Sequence, residues 1–138
     1  MDFGYPVLTL LIAFPLVAAC GLFFIKAAPV VRVYTLAVSL LECLLAVPLM
    51  NFKLNAEFQF VEKIDWVHQW GLQYYLGVDG ISILMVLLTI AVLPLCVLCS
   101  WTYIGKRVKE FHFCLLFMTS SVLGVFCALD LVLFYVFW

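Results

Sequence analysis

Charge is what this chain has least of: 11% of its 138 residues are Asp, Glu, Lys or Arg, against roughly 25% in ordinary soluble domains. Seven Lys plus Arg stand against eight Asp plus Glu, with no basic stripe or tail, and so nucleic acid is not expected as a partner. There is no glycine-rich phosphate loop, no nucleophile triad and no iron–sulfur cysteine spacing, and hence no catalytic centre that the sequence alone discloses. No internal repeat or low-complexity tract is present. No Lys or Arg precedes the first apolar run, and that run is longer than a signal-peptide core, so it reads as a retained membrane helix.

What remains is apolar. The chain is 68% hydrophobic, which lipid accommodates better than any aqueous core does. Six cysteines (Cys20, Cys43, Cys96, Cys99, Cys114 and Cys127) all lie in apolar segments, where they act as small hydrophobes. The spacing of Cys96-Val-Leu-Cys99 suits a redox or zinc pair, but no second pair accompanies it and no metal is expected.

The runs define an all-α membrane protein, a polytopic transmembrane helix bundle. Spans are expected at 7–25, about 28 Å at 1.5 Å per residue, and at 30–50, 80–100 and 111–129, all within one membrane domain covering 1–138. Pro15 and Pro94 are expected to kink their helices, and Pro29 suits a helix start. The short link between the first two spans predicts an antiparallel pair. After Asp130 only 131–138 remains of a fifth span, where a crossing needs roughly 20 residues. The chain is therefore expected to be an N-terminal fragment, inactive on its own.

The stretch 51–79 carries Lys53, Glu57, Glu62, Lys63, Asp65 and His68 among aromatics and should lie outside the hydrocarbon. Brief alternation in Phe58-Gln-Phe60 and Leu72-Gln-Tyr74, around a turn-like segment at 68–71, predicts a small β-hairpin. Trp66, Trp70, Tyr74 and Tyr75 suit the membrane interface. Lys26, Arg32, Lys106, Arg107 and Lys109 fall on one side and Lys53 and Lys63 on the other. By the positive-inside rule this puts the N-terminus outside, in a bacterial plasma membrane by preference.

Glu42 is the one charge deep in a span, and it is the candidate proton-pathway residue. The alternative is a protonated carboxyl bonded to a neighbouring helix as structural glue. Asp79 and Asp130 each precede an apolar helix and are read as N-caps. His112 is read as an interfacial residue, the alternative being proton exchange near the cytoplasmic interface, and Thr119, Ser120 and Ser121 as interhelical hydrogen-bonding or close-packing positions rather than a hydrated channel lining.

Two stretches carry a family likeness. Phe60-Val-Glu-Lys-Ile-Asp-Trp66 with Leu76-Gly-Val-Asp-Gly-Ile-Ser82, followed by Val108-Lys-Glu110 and Gly124-Val-Phe-Cys-Ala-Leu-Asp-Leu-Val-Leu-Phe-Tyr-Val-Phe-Trp138, resemble the N-terminal part of chain M, the subunit 4 type, of proton-translocating NADH-quinone oxidoreductase. The likeness covers most of 58–138. Thr119-Ser-Ser121 departs from the family pattern, which is more apolar or acidic there.

The resemblance implies a proton-translocating membrane subunit that works beside other membrane subunits in the lipid bilayer. NADH, flavin, iron–sulfur clusters and quinone would all be held by other subunits. The glutamate that the family places after the tryptophan matching Trp138, its mid-membrane lysines and its further acid are not in this sequence, so none is carried over. Competing readings are a subunit of a cation/proton antiporter or membrane-bound hydrogenase, and a non-translocating membrane scaffold.

Overall fold

The computed structural model describes residues 6–52, 58–67 and 72–138. Lys53, Glu57, His68, Trp70 and the turn expected at 68–71 lie outside the described residues, as does the side chain of Trp66. The described chain forms α1 (Val7–Gly21, continued by a 3-10 turn at Leu22–Phe24) and α2 (Ala28–Leu45, continued as 3-10 helix at Val47–Asn51). An antiparallel hairpin of β1 (Gln59–Val67) and β2 (Leu72–Val78) follows, and then α3 (Ser82–Tyr103), α4 (Val108–Cys127) and α5 (Leu131–Phe137). With their extensions, four helices are long and apolar enough to cross a membrane: Val7–Phe24, Ala28–Asn51, Ser82–Tyr103 and Val108–Cys127. The chain is a polytopic helical membrane protein with a small sheet at one end.

The boundaries differ from the sequence expectation for local reasons. α2 stops at Leu45 because Pro48 has no N–H to offer the Leu44 carbonyl. The chain then tightens, with Leu49 N donating to Ala46 O at 3.0 Å. α4 starts at Val108, three residues before the expected 111, since Glu110 in its first turn complements the helix dipole. The strands run longer than the alternation suggested.

α4 is the central helix and packs against α1, α2, α3 and α5. Its buried stripe, Val108, His112, Leu116, Thr119, Ser120, Leu123 and Cys127, follows the 3.6-residue repeat of one helix face. Gly124 lies in the same helix, where glycine costs about 1 kcal/mol relative to alanine. The Phe137 ring of α5 fills the space its Cβ would take, which explains its presence.

The apolar interior divides into two clusters. One, towards the hairpin, contains Leu8, Leu11 and Ile12 of α1, Ala46 and Leu49 at the end of α2, Leu76 and Val78 of β2, Ile83 to Ile90 of α3, and Leu123 and Cys127 of α4. The other, towards the basic 104–109 loop, contains Ala18, Ala19 and Leu22, Val31 and Val38, Leu93, and Val108 and Leu116.

The hairpin holds the first cluster closed. Gln59 pairs with Val78 and Glu62 with Leu76, so β1 carries one extra residue there, a bulge at which Phe60 adopts φ 54°. Cross-strand partners share a face, so the bulge puts Glu62 on the face of the fully buried Leu76 and Val78. Its carboxylate accepts from Leu8 N at 2.7 Å and Thr9 N at 3.0 Å, and also from the Thr9 hydroxyl. Tyr74 Oη lies 3.0 Å from the same hydroxyl oxygen. A carboxylate from a distant strand thus takes up the free amides that begin α1, which has no side-chain cap of its own. On the opposite edge Leu129 N donates to Tyr75 O at 2.9 Å, tying the α4–α5 link to β2.

Glu62→Ala should lower the stability of the folded subunit by about 1–2 kcal/mol, the usual cost of losing a helix cap. The midpoint of detergent denaturation reads it out, and Glu62→Gln should lose less because its amide oxygen still accepts.

Candidate functional site

Between the two apolar clusters lies a layer of buried polar groups. On α1 it falls at Pro15, on α2 at Ser39 and Glu42, and on α4 at Thr119 and Ser120, with Ile90 and Leu93 of α3 on either side of it. These positions are close to the midpoint of each span. In α1, Pro15 has no N–H to offer the Leu11 carbonyl one turn earlier. Ser120 crosses from α4 and donates to Ile12 O at 2.5 Å. Thr35, Ser39 and Thr119 instead donate back to carbonyls of their own helices, at 2.9, 2.8 and 2.8 Å. Each of those oxygens keeps lone pairs free to accept from the interior.

Glu42 sits in this layer with 0% exposure, and neither carboxyl oxygen has a hydrogen-bond partner among the described residues. The burial expected of it is there, but the neighbouring-helix bond that structural glue needs is not seen among the described residues. Buried acids unbonded to protein are rare and costly, and in membrane interiors they serve proton or ion movement.

His112, read as interfacial, is instead fully enclosed at 0% exposure, with both ring nitrogens unpartnered among the described residues. The reason is the early start of α4, which puts His112 in the second turn on the inward stripe rather than at the helix mouth. Arg32, counted as a flanking charge, is half-buried in α2. Its Nη2 donates to Ile104 O at 2.7 Å, just past the end of α3, while Nε is buried without a partner among the described residues. His112 lies within electrostatic reach of Arg32.

Asp130, Asp79 and Lys109 serve helix ends. Asp130 accepts from Val132 N at 2.7 Å and Leu133 N at 3.3 Å to begin α5. Asp79 accepts from Ile81 N at 3.0 Å and Ser82 N at 2.6 Å, and Ser82 Oγ accepts from Asp79 N at 2.8 Å, a reciprocal cap at the start of α3. The Ser82 amide and hydroxyl hold the Asp79 carboxyl below the usual carboxylate range. That contribution to folding is complete above the ordinary carboxylate pKa and is lost as pH falls through the lowered value. At the other end Lys109 Nζ donates to Phe23 O at 2.8 Å. Among the described residues no cluster of His, Cys, Asp or Glu could hold a metal, and Cys96 and Cys99 are free thiols on α3.

Glu62, Arg32 and the enclosure of His112 escaped the sequence reading. Part of that was legible: Arg32, Thr35, Ser39 and Glu42 recur at steps of three, four and three, one polar stripe on an apolar helix.

Comparison with known proteins places this architecture. Residues 8–125 match the family described as NADH-ubiquinone oxidoreductase chain 4, amino terminus. The chain is 39% identical to the chloroplastic NAD(P)H-quinone oxidoreductase chain 4 of Chara vulgaris, over 97% of its own length and 28% of that protein. It is 38% identical to NAD(P)H-quinone oxidoreductase chain 4 2 of Thermosynechococcus vestitus, over 100% of its length and 27% of that protein. It is 36% identical to F(420)H(2) dehydrogenase subunit M of Methanosarcina mazei, over 96% of its length and 27% of that protein. The chain thus spans little more than a quarter of the length of these curated relatives, and the likeness extends through the first two helices as well as 58–138.

Replacing Glu42 with an apolar residue of similar size separates the two readings of this carboxyl. Glu42→Leu should leave the denaturation midpoint unchanged or raise stability by about 1 kcal/mol, because a desolvated polar group without a bond is removed. Structural glue would give a loss of about 1–2 kcal/mol instead.

Proposed function

Because the chain belongs to the family of NADH-ubiquinone oxidoreductase chain 4, we propose that it is part of a membrane subunit of a quinone-reducing oxidoreductase and takes part in proton translocation. Glu42 is its proton-carrying group. The observation that carries this reading is the fully buried Glu42 at mid-depth, unbonded among the described residues and on the same helix stripe as the buried Thr35 and Ser39. A carboxyl there can take and release a proton without losing any protein contact.

The relatives are named for NAD(P)H in the chloroplast and cyanobacterial proteins and for F(420)H(2) in the archaeal one. A shared membrane part beside different electron donors supports assigning the donor site, flavin, iron–sulfur clusters and quinone to other subunits. Partner membrane subunits would pack against the lipid-facing helix surfaces. The concentration of Lys26, Arg32, Lys106, Arg107 and Lys109 at one end favours a bacterial plasma membrane with the basic loop in the cytoplasm and the N-terminus and hairpin outside. An antiporter or a hydrogenase subunit would use the same helices with a different electron partner, and a scaffold would not need Glu42.

In vesicles holding the complete complex, Glu42→Gln should cut protons pumped per donor oxidised by about tenfold or more, the scale of losing one proton-transferring group, while Glu42→Asp retains most of it. Unchanged pumping by Glu42→Gln, with the complex assembled to its normal amount, contradicts the role of Glu42 and leaves the scaffold reading.

A further inference from the structure

Every buried side-chain nitrogen or oxygen that lacks a partner among the described residues lies on α2 or α4: Arg32 Nε, both carboxyl oxygens of Glu42 and both ring nitrogens of His112. The two helices pack together and run in the same direction. Arg32 and His112 are each the fifth residue of their helix, near the end that faces the basic loop. Glu42 lies ten residues beyond Arg32, about 15 Å along the axis. Between them Thr35 and Ser39 of α2 are both fully buried on the same stripe as Glu42. Each hydroxyl donates to its own helix and leaves its oxygen to accept.

Five orphaned polar atoms on two helices that pack together, with the Thr35 and Ser39 hydroxyl oxygens between those of α2, match what ordered water satisfies in protein interiors. We propose that the α2–α4 seam is a water-lined proton entry running from the Arg32–His112 pair to Glu42, with His112 as the group that takes up the proton. This rests on the reading of Glu42 as the proton-carrying group. A proton from water at the basic-loop end binds one ring nitrogen as another leaves the second nitrogen into the seam, and the Glu42 carboxylate accepts it. Only N–H and O–H bonds form and break, and no redox partner is required. Arg32, anchored on the Ile104 carbonyl, is a positioning residue that fixes a charge at the mouth.

The test uses the complete complex in sealed membrane vesicles, with donor oxidation and proton uptake measured together and assembled complex quantified. His112→Ala should reduce protons pumped per donor oxidised by about tenfold, and millimolar imidazole should restore it by entering the vacated space. Normal pumping by His112→Ala overturns the proposal, as does a loss that imidazole does not restore, which would mark His112 as a packing residue. Should His112→Ala fail to assemble, Ser39→Leu gives the decision, because it blocks the seam without touching either titratable group. Loss of pumping then supports the proposal, and normal pumping overturns it. Glu42→Gln run in parallel distinguishes the levels. If it fails to pump while the His112 variant pumps normally, only the entry falls; if both pump normally, the role of Glu42 falls as well.

Discussion

Inside hydrocarbon there is no water to complete a helix end, and this structure is arranged around supplying that missing partner from the protein itself. α1, α3 and α5 all begin at the hairpin end, and each finds a carboxylate there: Glu62, Asp79 and Asp130. α3 and the 3-10 turn after α1 finish at the other end, where Arg32 and Lys109 reach the Ile104 and Phe23 carbonyls. Acid at N-termini and base at C-termini follow the helix dipole. The asymmetry of charge that points to membrane orientation is thus also the asymmetry that completes the helices.

Once those charges are placed, Glu42 stands apart. It is neither at a helix end nor paired, and it lies where the two apolar clusters separate. There the Ser120 hydroxyl of α4 crosses to donate to the Ile12 carbonyl of α1. A polar layer in the middle of an apolar bundle weakens packing, and a scaffold alone would gain by filling it with leucine. The cost becomes intelligible if the layer carries protons.

Much of this was visible in the sequence, and the rest was hidden for identifiable reasons. Four spans, a hairpin between the second and third, and the capping positions of Asp79 and Asp130 follow from local pattern, since each depends on neighbours within a few residues. The early end of α2 was also local, at Pro48, and needed only that residue's missing N–H to be weighed. The Glu62 cap was not local. It joins residues 54 apart through a bulge at Phe60 that switches which face Glu62 occupies, and alternation alone assigns the wrong face. The burial of His112 turned on where α4 starts, because a shift of three residues moves a side chain from the helix mouth into the core. The polar stripe from Arg32 to Glu42 was readable. Its partner face on α4 gained meaning only once the packing of the two helices was known.

On the proposal above, the seam from Arg32 and His112 to Glu42 is wet and leads to a carboxyl unbonded to protein. An electron cryo-microscopy map of the assembled complex, sharp enough to show ordered water, tests this most directly. Density for water molecules is expected along the α2–α4 seam, within hydrogen-bond distance of the His112 ring nitrogens, the Thr35 and Ser39 hydroxyls and the Glu42 carboxyl. A dry, closely packed seam, with Glu42 bonded to a neighbouring side chain, would contradict it.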